Sequence, residues 1–263
     1  MKNTKILLKK GEVLIYDFGS IKIHNYNTND NLNDQVIILE KDKKIVVIES
    51  PTFYDNNKEL EKYITSFNAE VIEMLISYHM SGGSFLKDKK KYTTFKASTY
   101  DMQGGGKALI DGFTVAFGSS FDKNIHNITD YINEGSVTLA GINLNIIPTN
   151  DAFDVEIPEI NVIYTHMLGS NSHSIIANEN HAKMLIKTLE SYISKNYNLI
   201  LTSHYIPESI EAASIKIDYI KDILNIAKTS KDAKEMISKV TAKYPTYVGL
   251  NYLEMTANSL FNN

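Results

Sequence analysis

The sequence contains no cysteine and no arginine among its 263 residues. Without cysteine the chain can form no disulfide, no thiolate zinc site and no cysteine nucleophile. Arginine is the usual planar partner of carboxylate and phosphate groups, so recognition of an anion would fall to lysine, backbone N–H groups or a metal ion. All 27 basic side chains are lysines, and the abundance of lysine, asparagine and isoleucine is typical of an AT-rich genome.

Long apolar runs and concentrated positive charge are also missing. No stretch approaches the roughly 20 apolar residues that cross a bilayer, and the N-terminal segment lacks the features of a signal peptide. The formal net charge is −4, and the lysines are scattered, whereas a nucleic-acid surface needs a positive stripe. We therefore expect a cytoplasmic protein with a small-molecule substrate or ligand and with no nucleic-acid or membrane partner.

Local patterns predict alternating strands and helices without a linker between them. No linker rich in proline, glycine or serine divides the chain, and no motif repeats at a fixed period, so we expect a single domain over residues 1–263 with helices 207–263 packed on it. Near-continuous apolar runs at 44–49 and 71–77 are typical of strands buried on both faces. Strands are predicted at residues 12–18, 20–25, 34–40, 44–49, 71–77, 92–97, 113–117, 137–139, 143–147, 161–164 and 199–202, and helices at 55–67, 178–195, 207–227, 231–243 and 249–260.

Three of the seven histidines closely follow a predicted apolar strand. They are His79, His166 and His204. Strand ends hold side chains rigidly at the mouth of a crevice, so the repetition indicates a functional site, although a histidine at such a place is also often an ordinary residue of a surface turn. His24 and His126 belong to no motif, and we expect them at the surface.

The segments around the three histidines resemble the metallo-β-lactamase superfamily over residues 11–225. The hallmark of this superfamily is a strand that ends in H-x-H-x-D-H before a glycine-rich helix start, and VIEMLISYHMSGGSF matches that context. The superfamily's strand ending in Asp-Thr-Gly is similar to IVVIESP, and its later His-bearing turns are similar to LNIIPTN and LILTSHYIPES. The resemblance implies an α/β fold, a four-layer αββα sandwich of two mixed β-sheets flanked by helices.

Most metal-ligand positions of the superfamily hold other residue types in this chain. Only His79 and His204 match the superfamily's own residue, and His166 stands in the place of a bridging aspartate. A pair of metal ions needs several imidazoles together with carboxylates, so the resemblance implies at most one metal ion. The seven positions hold Ser77, His79, Ser81, Gly82, Asn150, His166 and His204.

One hypothesis from this resemblance is a hydrolase with a single metal site. His79, His166 and His204 would hold a zinc ion with an open position, and the activated water would attack an ester, thioester, lactone or phosphodiester. Asn150 and Asp151 are the predicted catalytic residues, as groups that orient a histidine or polarise the water. The surrounding pocket is predicted from Glu49, Ser77, Tyr78, Ser81, Gly82 and Asp154.

The alternative hypothesis is an inactive relative that uses the fold to bind a ligand or a partner without turnover and without a metal. Serine and glycine at positions 77, 81 and 82 leave a roomy polar pocket, which favours this alternative. Met80, Phe85 and a glycine-rich loop at 102–106 would then line the pocket, although Met80 and Phe85 also suit a core. The segment 247–261 either packs on the domain or forms a homodimer surface.

Overall fold

The computed structural model describes residues 3–261, and the chain forms two compact units. The first unit comprises Met1–Met167 and Leu201–Pro207, and the second comprises Leu168–Ile200 and Glu208–Asn263. The expectation of one domain with helices 207–263 packed on it stays a prediction.

The first unit contains an eight-stranded mixed sheet whose strands lie side by side in chain order. They are β1 (Thr4–Leu7), β2 (Glu12–Asp17), β3 (Lys22–Asn27), β4 (Gln35–Lys41), β5 (Lys44–Ile48), β6 (Val71–Leu75), β7 (Lys90–Thr93) and β8 (Asp130–Tyr131). β1 to β5 form an antiparallel meander, and each of β6, β7 and β8 pairs in parallel with the strand before it. The apolar residues 36–39 of β4 and 45–48 of β5 are all fully buried, as expected for strands covered on both faces.

The helix α1 (Tyr54–Thr65) packs on this sheet. Its Leu60 and Ile64 are one helical turn apart and share a buried apolar cluster with the strand residues Val47 and Met74. This spacing is the reason why the amphipathic pattern predicts the helix.

The region between β7 and β8 is mostly helical, where the sequence patterns predicted strands and a loop. Strand β7 ends one residue before Thr94, whose side chain caps α2 (Phe95–Gln103) by accepting a hydrogen bond from the N–H of Ala97. α3 (Gly105–Phe117) follows after Gly104 alone. The predicted strand at 113–117 and the predicted loop at 102–106 are therefore wrong, and the strand predicted at 92–97 ends early.

Tertiary packing explains the misassignment at the end of α3. Its apolar residues Ile110, Phe113 and Phe117 lie three and four positions apart and pack against Phe53 and Phe121. Read by itself, the short apolar stretch 113–117 has the composition of a strand, and the helical spacing becomes evident only over the longer segment.

The second sheet contains β9 (Gly135–Leu139), β10 (Ile142–Pro148), β11 (Phe153–Ile157), β12 (Val162–Thr165) and β13 (Leu199–Thr202). Their spatial order is β13-β12-β11-β10-β9, and β9 to β12 pair antiparallel. The last two residues of β13 belong to the first unit. The sequence patterns do not predict β1, β8 or β11, which are short and carry charged residues.

The second unit is helical. The side chains of Asn178 and Asp232 cap the first and third of its helices by accepting a hydrogen bond from the N–H three residues later. The helices are α4 (Glu179–Lys195), α5 (Glu211–Lys228), α6 (Ala233–Lys243) and α7 (Leu250–Phe261), close to their predicted bounds. Within residues 3–261, no helix has the length and apolar character that a bilayer crossing needs. The cytoplasmic location stays a prediction.

Candidate metal centre

Three histidines of the first unit come together just beyond the ends of their strands. His79 lies four residues after β6, His166 directly follows β12, and His204 lies two residues after β13. The ring centroids of His79 and His166 are 5.3 Å apart, those of His79 and His204 are 4.9 Å apart, and those of His166 and His204 are 5.1 Å apart. Each ring offers a nitrogen that lies within 4.8 Å of the other two. The structure therefore brings together the three histidines that the sequence singled out.

The nitrogens of this histidine cluster are poorly supplied with hydrogen-bond partners. Nε2 of His166 lies 3.2 Å from Nε2 of His204. Nδ1 of His79 is buried and has no hydrogen-bond partner. An unsatisfied buried nitrogen costs free energy, and a metal ion that His79 bound through Nδ1 would remove that cost.

All three rings are neutral at pH 7. Burial, and then the neighbouring rings of His204 and His166, hold the pKa of His79 well below its ordinary value. Burial and the proximity of His204 lower the pKa of His166 to about 3. Burial lowers the pKa of His204 to about 4, although a hydrogen bond to the carbonyl of Leu32 favours its charged form. Neutral imidazole keeps a lone pair, and this is the form that binds metal ions.

A buried carboxyl group holds the loop that carries His79. Glu49 directly follows β5 and accepts hydrogen bonds from the backbone N–H groups of Ser77, Tyr78 and His79 at 3.3, 2.8 and 3.2 Å. The hydroxyl of Tyr164 donates a further hydrogen bond to Glu49 at 2.8 Å. Burial raises the pKa of Glu49 to about 7, although these hydrogen bonds act to lower it. Glu49, a predicted pocket residue, is fully buried, and its side chain binds the backbone of the loop that carries His79.

His204 is oriented through its other ring nitrogen. Its Nδ1 lies 3.3 Å from the carbonyl oxygen of Leu32 and 3.5 Å from Oδ1 of Asp34. Asp34 is itself buried, and its second oxygen accepts a hydrogen bond from the hydroxyl of Thr52. An Nδ1–H aimed at these oxygens leaves the Nε2 lone pair facing the cluster. Sequence reasoning missed Asp34, because an acidic residue before a strand carries no motif.

The ring of Tyr78 fixes the plane of the His166 ring. The two rings are stacked, with centroids 4.4 Å apart and planes inclined by 8°. The Tyr78 hydroxyl lies within hydrogen-bond distance of Oγ1 of Thr149, at 3.1 Å, and of Oδ1 of the buried Asp154, at 2.9 Å. Both predicted pocket residues, Tyr78 and Asp154, are thus part of the support of His166.

Two other predicted pocket residues form hydrogen bonds between a serine hydroxyl and a backbone group. The hydroxyl of Ser77 donates a hydrogen bond to the carbonyl of Phe153 and accepts one from its N–H, which joins the end of β6 to the start of β11. The carbonyl oxygen of Ser81 accepts a hydrogen bond from the hydroxyl of Ser50 at 3.1 Å. Both serines are buried.

Gly82 lies against the chain segment that follows β5. Its φ is 88°, and a Cβ added there would lie 2.4 Å from the carbonyl oxygen of Pro51. No side chain fits at this position without moving backbone, so the histidine that the resemblance places here would not fit the present structure.

Asn150 and Asp151 lie on the turn between β10 and β11, and both are exposed. Together with residues of α2 they line a surface hollow. Among the described residues, neither side chain forms a hydrogen bond with the three histidines. Their catalytic role stays a prediction.

His24 and His126 are buried, so the prediction of surface positions for them is wrong. Each is less than 5% exposed and has two polar partners for its ring nitrogens. Such partners come from distant parts of the chain and leave no local pattern. Met80 and Phe85 are fully buried in the main apolar cluster, and they therefore belong to the core.

Comparisons with known proteins give structural matches only. No protein-family model matches the sequence, and no curated protein matches it. The structure is similar to a double mutant of the sec-alkyl sulfatase PisA1, with a TM-score of 0.60 and 12% identity over 92% of this chain; the chain spans 49% of the sulfatase chain.

Two metallo-β-lactamases are matched over nearly their whole length. An enzyme from Erythrobacter litoralis has a TM-score of 0.53 and 12% identity, with 83% of this chain and 100% of that chain covered. The enzyme DIM-1 has a TM-score of 0.50 and 12% identity, with 80% and 97% covered. These matches confirm the predicted αββα arrangement, and the protein has the metallo-β-lactamase fold.

Proposed function

We propose that the protein is a hydrolase that uses one zinc ion held by His79, His166 and His204. The observation that supports the proposal best is the convergence of three neutral imidazoles, one of which, His79, has a buried Nδ1 without a hydrogen-bond partner. The similar structures include a sulfatase and two β-lactamases, which supports a hydrolytic reaction on this fold. The proposed substrates are esters, thioesters, lactones or phosphodiesters.

The residues present fit a catalytic zinc ion. Three histidines that leave a position open for water or substrate are a ligand set of catalytic zinc. Asp34 and the Leu32 carbonyl near Nδ1 of His204 resemble the outer partners that orient metal-bound histidines. When bound, zinc supplies a nucleophilic water at neutral pH and polarises a carbonyl or phosphoryl oxygen.

The chain's own residues would keep this site in place. Glu49 holds the His79 loop through three backbone N–H groups, and Tyr78 holds the plane of His166. The side chains of Ser77 and Ser81 are buried, and Gly82 has no room for a side chain. These features support one metal ion rather than two.

Metal analysis of protein purified without a histidine tag tests the proposal. We expect about one equivalent of zinc in the wild type and less than about a tenth in His166→Ala, because two imidazoles alone bind zinc weakly. His181→Ala, which removes a histidine from α4, is the matched control and should keep its zinc. A wild type that takes up less than about a tenth of an equivalent after zinc loading would contradict the proposal.

A substrate panel separates the hydrolase from the inactive alternative. One observation favours the alternative: among the described residues, the group of possible metal ligands consists of the three histidines and contains no carboxylate that could serve as a general base. We expect turnover of at least one ester, thioester, lactone or phosphodiester in the zinc-loaded wild type and its loss in His166→Ala. Zinc binding without turnover of any class would support a ligand-binding role instead.

A further inference from the structure

The turn between β10 and β11 and the helix α2 enclose an open hollow on the surface of the first unit. Its volume is about 420 Å³, within the range of small-molecule sites. Most of its accessible surface is carbon. The lining residues are Phe95, Lys96, Thr99, Tyr100, Asn150 and Asp151.

Large apolar side chains are exposed at this hollow. Phe95 is 72% exposed, and its ring lies against the ring of Tyr131, 57% exposed, with centroids 6.0 Å apart. An exposed aromatic pair beside a concave surface is typical of a binding site, because covering it removes apolar area from water.

A short chain of contacts joins the hollow to the histidine cluster. Tyr78 stacks on His166, and its hydroxyl contacts the side chain of Thr149. The carbonyl oxygen of Thr149 accepts a hydrogen bond from Nζ of Lys96 at 2.6 Å. Thr149 is followed directly by Asn150 in the hollow's rim. Tyr78 and Thr149 therefore connect the hollow to the cluster.

The charges of the hollow favour a neutral occupant. The ammonium group of Lys96 is engaged by the Thr149 carbonyl, and the lining also contains the exposed Asp151. An anionic tail would meet Asp151 unfavourably, and a cationic tail would meet Lys96.

We infer that this hollow binds the neutral apolar tail, a medium-length alkyl or aryl group, of the substrate whose scissile bond lies at the histidine cluster. The inference rests on the proposed hydrolase and adds the substrate class, an acyl derivative with an apolar tail. Phe95 provides the wall on which the tail packs.

Binding of neutral amides to the metal-free protein tests the hollow without any need for catalysis. Titration calorimetry with octanamide and butanamide should show octanamide binding at least about tenfold more tightly, because four more methylenes are partly removed from water. In Phe95→Ala this preference should fall to about threefold or less. Val115→Ala, which removes an 87% exposed apolar side chain of α3, is the matched control and should keep the preference.

Equal affinity for the two amides, or an unchanged preference in Phe95→Ala, would overturn the inference. Sedimentation of both variants supplies a second readout. If the protein self-associates and Phe95→Ala abolishes this association, the exposed aromatic pair forms contacts between copies of the chain. That result would also overturn the inference. If octanamide binds through Phe95 but no zinc is taken up, the hydrolase fails while the apolar subsite stands.

Discussion

At the scale of single residues, Gly82 occupies a position where the backbone leaves no room for a side chain. The position requires a φ of 88° and approaches the Pro51 carbonyl so closely that a Cβ would lie at 2.4 Å from it. Gly19 has a similar φ of 84° but has no heavy atom near its Cβ position. Comparing a substitution at Gly82 with one at Gly19 therefore separates the free-energy cost of backbone strain from the cost of steric crowding.

Replacement of Gly82 by alanine should destabilise the protein by about 3 kcal/mol or more, because strain and a steric clash add. Gly19→Ala should cost only about 1 kcal/mol, since strain alone remains. Urea unfolding of both variants measures the difference. Equal losses of unfolding free energy in the two variants would show that the segment after β5 moves at little cost to accommodate a side chain at position 82.

At the scale of elements, α5 carries a lysine within its buried face. Lys216 is 3% exposed, and its Nζ donates a hydrogen bond to the carbonyl of Ser172 at 2.6 Å and lies 5.0 Å from the ring centroid of Tyr219. Burial lowers the pKa of Lys216 from 10.5 to about 7, although the carboxylate of Glu208 acts in the opposite direction.

This shift makes the stability of the wild type depend on pH. In the unfolded chain Lys216 keeps its proton up to about pH 10.5, whereas in the folded chain it releases the proton above about pH 7. The contribution of Lys216 to the free energy of unfolding therefore rises with pH between these two values. The slope is at most about 1.4 kcal/mol per pH unit. Between pH 7.5 and 9, we expect the unfolding free energy of the wild type to increase relative to that of Lys216→Met by at least about 1 kcal/mol.

Urea titrations at several pH values check this prediction. Lys221→Met, which changes an exposed lysine of the same helix, is the control and should follow the pH dependence of the wild type. A constant difference between wild type and Lys216→Met over this range would mean that Lys216 stays charged in the folded protein.

The elements also differ in how well local patterns predict them. The apolar runs of β4, β5 and β6 and the helices of the second unit follow from local patterns, because their signals are contained in the segments themselves. The structure of segment 113–117 is not predicted in this way, because its apolar residues are compatible with either a strand or a helix. Packing against Phe53 and Phe121 stabilises the helix.

At the scale of the whole molecule, the histidine cluster exists only in the folded chain. His166 and His204 are 38 positions apart, and the His204 partner Leu32 lies 172 positions from it. A metal ion that binds such a site binds the native state alone and stabilises it by mass action.

Zinc should therefore raise the melting temperature of the chelator-treated wild type. At about 100 times the dissociation constant the gain is about 2.7 kcal/mol, which corresponds to roughly 5–10 °C for a chain of this size. His166→Ala should show no increase, and magnesium, which prefers oxygen ligands, should have no effect on either protein. Thermal scans by circular dichroism provide the measurement, and an equal zinc effect on both proteins would place the zinc elsewhere.

The sequence by itself determined most strands and helices and the three histidines that follow strands, because these signals lie within a few residues of one another. The αββα fold was implied by the resemblance of its motifs to the metallo-β-lactamase superfamily. Only the tertiary structure decided that the three rings meet and that Asp34, Glu49 and Tyr78 hold them. It likewise decided the burial of His24 and His126 and the approach of Pro51 to Gly82. These features depend on contacts between distant segments, such as the 115 positions between Glu49 and Tyr164, and no local pattern encodes such a contact.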